Sequence, residues 1–180
     1  ITDIQTAMWK TDHVTVKAKN NIHHAIVLSK LLHKAQVWPA VGGKAMDALR
    51  KPHMRVLRAV FDKQGATPET RCSNAELLGR KGVADIEVYV RKLRLMYVAR
   101  LLTTGPVEVI ALVQNTAQRK DSFAAAVRQD LAWLQSRCTK PDQMTSPLAP
   151  GGTAEWERLI TGNVKFFRRV VREVVADIEE

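Results

Sequence analysis

Apolar residues recur at three- and four-residue spacing along nearly all of this chain, and nowhere do they alternate with polar ones over the length of a strand. That periodicity predicts an all-α fold. Thr15 to Val37 reads as a first helix, with Ile22, Ile26, Ser29 and His33 on one side and Val27, Leu28, Leu31 and Leu32 crowding the other. Apolar positions on most sides predict burial on most sides. Pro39 and Gly42-Gly43 are its stop signals. A second helix is expected from about Lys44 to Phe61, kinked or restarted at Pro52 and closed by Gly65 and Pro68.

Ser73 or Asn74 is a capping candidate for a short helix to Leu78, with Gly79 and Gly82 bracketing the turn that follows. Asp85 then caps a long helix to about Leu102, stopped by Gly105-Pro106. Val107 to Gln114 forms a short apolar helix, and Asp121 or Ser122 caps another that runs to about Ser136. Residues 139–152 (TKPDQMTSPLAPGG) hold three prolines and two glycines with almost nothing to bury, which is linker composition. Thr153 caps a final helix to about Ile178. The expected organisation is a helical bundle over 15–138, a Pro/Gly linker over 139–152, and a long amphipathic basic helix over 153–180 on that tether.

Composition supports a packed chain: 46% of the 180 residues are apolar, enough for a core. Two cysteines, Cys72 and Cys138, exclude a disulfide scaffold and a four-cysteine zinc site, and with them the reading is an intracellular compartment, nuclear or cytoplasmic. No apolar run approaches the ~18 residues of a membrane span, so no membrane partner is expected. The start Ile-Thr-Asp-Ile shows no basic-then-apolar signal pattern and no initiator Met, which reads as a piece of something longer.

Charge is the strongest functional signal. Lys and Arg total 28 against 18 Asp and Glu, a surplus of +10. Turned at 100° per residue, the second helix gathers Met46, Leu49, His53, Val56, Leu57 and Val60 in one stripe. Lys44, Lys51, Arg55 and Arg58 fall opposite, with Asp47 and Asp62 the acids of that helix. The last helix repeats the arrangement: Trp156, Leu159, Ile160, Phe167, Val170, Val171, Val174 and Ile178 on one side, Arg158, Lys165, Arg168, Arg169 and Arg172 on the other. Its acids gather towards its ends. The middle helix carries Arg91, Lys92, Arg94 and Arg100 scattered around it, Arg100 near the stripe of Ile86, Val90, Leu93, Tyr97 and Leu101.

Basic helix faces are often no more than solvated faces. Cations spaced along one face can also follow a nucleic-acid backbone, releasing counterions without reading bases. Trp133 and Trp156 lie on apolar stripes and read as core, not as base-stacking platforms.

Catalytic patterns are missing from the sequence. The histidines (His13, His23, His24, His33, His53) have no Cys-x-x-Cys partner and no carboxylate on a shared face, so no metal site is expected. Gly42-Gly43-Lys44 is too short for a phosphate loop, neither cysteine has an activating His, and no adjacent aspartate pair exists for two-metal chemistry. The residues describe a binding module.

Four stretches, in order, resemble one family. AIVLSKLLHKAQVW (Ala25 to Trp38) resembles the segment just beyond the palm of non-LTR, LINE-like retrotransposon reverse transcriptases, which runs apolar-Leu-Ser-x-Leu-Leu-Tyr-Gly with a Trp four residues after the Gly. Here His33-Lys34 stand in place of Tyr-Gly. AMDALRKPHMRVLRAV (Ala45 to Val60) resembles the next helix, with its Arg-x-Leu-Arg-x-Ile/Val ending at Arg55, Leu57, Arg58 and Val60. SNAELLGRKGVADIEVYVRKLRLMYVARLL (Ser73 to Leu102) is similar to the following block through Asn74, Glu76, Leu77, Leu78, Gly82, Ile86, Arg91, Leu93 and Arg94. DLAWLQ (Asp130 to Gln135) resembles an acidic-apolar-Trp-Leu segment further downstream.

The resemblance implies the thumb and its C-terminal extension in an RNA-directed DNA polymerase, a helical element gripping template–primer duplex by its backbone. It implies that residues 1–14 are the tail of the palm connection. The catalytic aspartates and their Mg2+ would lie in an upstream palm outside this chain, so no cofactor is expected within it. The expected partner is RNA or an RNA–DNA duplex. It would be held by Lys44, Lys51, Arg55 and Arg58, with Arg91, Lys92, Arg94, Arg158, Lys165, Arg168, Arg169 and Arg172 assisting. A different class of function is a helical protein-interaction or oligomerisation module, docking the apolar stripe of the last helix on a partner or a second copy.

Overall fold

The computed structural model describes residues 11, 13–39, 41–61, 72–116, 119–138 and 153–179; the side chains of Val16, Phe61, Leu159 and residues 153–156 are outside that description. Every regular element among these residues is helical, as the periodicity predicts. The elements are α1 (Val16–Ile22), a π-helical turn (His23–Leu28), α2 (Ser29–Leu31), a 3-10 turn (Ala35–Val37), α3 (Gly43–Phe61), α4 (Asn74–Lys81), α5 (Ile86–Thr104), α6 (Val107–Asn115), α7 (Phe123–Arg137), α8 (Thr153–Gly162) and α9 (Val164–Ile178). No helix among the described residues is long and apolar enough to cross a membrane.

Local chemistry sets most of these ends. Thr15, Ser73, Ser122 and Asn163 each accept a hydrogen bond from a first-turn amide, capping α1, α4, α7 and α9. Gly79 lies inside α4, not in a turn, and the helix ends at Gly82, whose φ of 56° is the left-handed closing conformation. The first helix stops at Leu31, well before Val37. Lys34, at φ 57° and ψ 17°, turns the chain there instead of Pro39. α3 continues through Pro52. The proline removes the amide that would bond the Ala48 carbonyl, and Ala48 is exposed, so water can serve that acceptor.

The expected single last helix is two, broken at Asn163, which leaves helical geometry at φ −153° and ψ 81°. The first helix is buried on one side only: Leu28, Leu32, His23 and Lys19 are buried, while Ile26 is 43% exposed.

The chain packs as two units, Ile1–His33 with Gly42–Ile86, and Lys34–Val41 with Glu87–Glu180. In the first, Met54, Leu57, Leu77 and Val83 form a small core between α3 and α4, flanked by Cys72 and Leu78. In the second, Leu95, Val98 and Ala99 of α5 pack with Val127, Leu131 and Leu134 of α7, Ile160 of α8, and Phe167, Val170, Val171 and Val174 of α9. The terminal apolar stripe is therefore core, not a helix on a tether offered to a partner; burying it stabilises by about 1.5–3 kcal/mol for each large side chain. The bundle expected over 15–138 is divided accordingly. Asp62, Gly65, Pro68, most of the 1–14 tail and the 139–152 linker lie outside the described residues, as do the side chains of Thr153, Trp156 and Leu159.

Candidate nucleic-acid interface

On α3, Lys44, Lys51 and Arg55 are exposed, and none pairs with a described carboxylate. Separations of seven and four residues put them within about 40° of one another around the helix, over about 16 Å of its length. Asp47, the nearest acid to the row on α3 among the described residues, is bonded by Arg50 Nη1 at 2.8 Å. The same guanidinium reaches Asp85, Nε to Oδ2 at 2.8 Å and Nη2 to Oδ1 at 3.3 Å. Arg50 thus occupies both carboxylates and leaves the row cationic. A hollow of about 260 Å³ opens beside it, lined by Asp47, Arg50, Lys51 and Asn74; walls this polar suit a hydrated, ion-rich surface rather than an apolar ligand.

Arg58, the fourth expected member, is half-buried. Its Nη2 donates to the Cys72 carbonyl at 2.9 Å and to Asn74 Oδ1 at 2.8 Å, tying α3 to the start of α4. It holds structure together instead of facing outward.

The α5 arginines depart further from expectation. Arg94 is only 5% exposed. Its Nε and Nη2 donate to the two oxygens of Asp130 at 2.6 and 2.9 Å, and its Nη1 to the Pro39 carbonyl at 3.1 Å. Arg91 Nη1 reaches Asp130 at 3.0 Å, with its guanidinium 5.5 Å from the Trp133 ring centre. Arg94 is therefore withdrawn from the candidate interface, and Arg91 is largely engaged. A fork of donors meeting a carboxylate inside a core is a structural pair. Burial pushes the Asp130 carboxyl above its ordinary value, against the pull of the Arg94 hydrogen bonds and the two guanidinium charges. Lys92 is half-buried, and Arg100, expected near the stripe, is exposed.

The terminal cations divide between two helices. Arg158 is exposed on α8. On α9, Lys165, Arg169 and Arg172 are exposed on one side, and Arg168 is half-buried. Arg169 lies 3.6 Å from Glu173 and 5.3 Å from the Phe166 ring centre. Both members of that ion pair are more than half exposed, so it contributes little and leaves the side positive.

Sequence reasoning missed Arg50 and Asp130. Arg50 falls between the apolar and basic sides of its helix, where no pattern marks it. Asp130 carried a signal, one acid set among Val127, Leu131 and Leu134 at helical spacing. Among the described residues no group of three or more His, Cys, Asp or Glu is placed to hold a metal ion. Compared with known proteins, the chain matches no family model, no curated protein and no solved structure.

Proposed function

We propose that the chain is a non-catalytic nucleic-acid-binding region of an RNA-directed DNA polymerase, related to the thumb of non-LTR reverse transcriptases. In this reading it holds RNA or RNA–DNA duplex by the phosphate backbone, in the nucleus or cytoplasm. The observation that carries the reading is the row Lys44, Lys51 and Arg55, exposed on one side of α3, with Asp47 and Asp85 both bonded by Arg50. A second row, Lys165, Arg169 and Arg172 on α9, assists. Lysine and arginine at this spacing meet phosphates as point charges and forks, without reading base edges.

Support for the family comes from Lys34. It occupies the position where the related segment carries glycine, and its φ of 57° is the conformation glycine adopts most readily. Trp38 follows four residues later, as in that segment.

Charge reversal tests the grip. Lys51→Glu with Arg55→Glu should weaken binding to RNA–DNA duplexes of unrelated sequence by the same factor, about tenfold or more, with helix content unchanged. Loss confined to one sequence would mean base readout, and undiminished binding would remove the row from the interface.

A further inference from the structure

The π-helical turn His23–Leu28 begins with two consecutive imidazoles. His23 is fully buried, and neither its Nδ1 nor its Nε2 has a hydrogen-bond partner. His53 of α3, also fully buried, lies beside it with ring centres 5.1 Å apart and planes tilted by 39°. The His53 Nε2 sits 3.3 Å from the Ala84 carbonyl, and the His24 ring stands edge-on to His23 at 5.7 Å.

A neutral imidazole carries one N–H and a protonated one carries two. Among the described residues, a second N–H on His23 would meet no acceptor already in place, and its charge no free carboxylate. Among the described residues its ring contacts are His24 of the same turn and His53 on α3, and Lys19 and Asn20 stand one turn earlier on α1. Lys19 is buried and basic, and Asn20 Oδ1 is a buried, uncharged acceptor that makes no hydrogen bond, to His23 or to any other group. Around His53 the charged groups are Arg50 and Asp85, and Arg50 already bonds both oxygens of that carboxylate.

We propose that His23 and His53 form an acid-sensitive latch in the unit that carries α3: while both rings are neutral the π-helical turn stays packed on α3, and protonation of His23 releases it. Burial, reinforced by the neighbouring His53 and His24, holds His23 at about 3, down from 6.5, and burial also lowers His53. A histidine whose folded value is depressed binds its proton more readily once released. The packed form is therefore fully favoured above the ordinary value near 6.5 and loses ground as pH falls from there towards 3. At about pH 5 the released form gains roughly 30-fold from His23 alone.

The latch rests on packing within this unit. Its consequence, that the Lys44–Lys51–Arg55 row loses its support in acid, rests on the function proposed above. That consequence has an unusual sign, since acid ordinarily strengthens phosphate binding by a basic protein.

Hydrogen exchange on the full chain tests it. Between about pH 7.5 and about pH 5, after correction for intrinsic rates, protection over α1, the π-helical turn and α3 should fall roughly 30-fold while α7 and α9 hold theirs. His23→Phe, apolar and similar in size, should remove the His23 share of that fall and leave only the part that His53 contributes. An unchanged wild-type profile, or an equal fall in His23→Phe, overturns the latch. Should that variant not fold, the wild-type His23 ring can be titrated by NMR. A ring that stays neutral until protection falls agrees with the latch, and one that titrates near 6.5 while protection is constant overturns it. Protection lost in acid with no duplex binding at either pH refutes the grip and leaves the latch standing, so the two fail separately.

Discussion

Lys34 occupies left-handed backbone space that β-carbon crowding makes costly for any residue but glycine, by about 1–2 kcal/mol. Lys34→Gly relieves that crowding but gives the unfolded chain more freedom, which returns part of the gain. The expected result is a stabilisation of about 0.5–1 kcal/mol in urea unfolding, with the folded contacts unchanged. Asp130 presents the opposite case. Its carboxylate is fully buried between Arg91 and Arg94. Asp130→Ala would leave the Arg94 guanidinium buried and uncompensated, and should cost about 3–5 kcal/mol. Denaturant midpoints measure this directly, and a cost under about 1 kcal/mol would mean that Arg94 finds solvent. Nothing in helical periodicity announces a pairing between residues 36 apart in sequence, and so Arg94 reads from sequence as one more surface cation.

Most helices were legible because they carry an apolar stripe, and several have a capping residue before it. Ser73 and Ser122 cap the helices that the sequence assigns to them. The ends that escaped have physical reasons. A lysine is a poor marker for a left-handed turn, and Gly162-Asn163 sat in the middle of a strong apolar pattern that reads straight across it. The break matters for the proposed grip, because it takes Arg158 off the helix that bears Lys165, Arg169 and Arg172. The apolar side of α9 is settled by burial: Phe167 is 3% exposed, Val171 fully buried and Val174 4% exposed. Phe167→Ala should therefore destabilise by about 3–5 kcal/mol. Light scattering should return the wild-type oligomeric state at concentrations where the variant is folded. A change of oligomeric state without loss of stability would restore the stripe to the surface.

Across the whole molecule, a surplus of +10 does not say where a polyanion would sit. The sequence put candidate cations on three helices, and it could not tell exposed ones from those spent on internal carboxylates and carbonyls. Nor could it show that Lys34–Val41 groups with Glu87–Glu180 and not with its immediate neighbours, since stripes mark which sides bury without saying against what. The exposed rows left for the proposed phosphate contact are one on α3 in the first unit and one on α9 in the second. Salt dependence weighs those rows most directly. Each phosphate contact released by salt contributes about −0.7 to −0.9 to the slope of log binding constant against log salt concentration. With Lys44, Lys51 and Arg55 changed together to Gln, the slope for an RNA–DNA duplex should become shallower by about 2–3. An identical slope in the variant and the unaltered chain would contradict the grip.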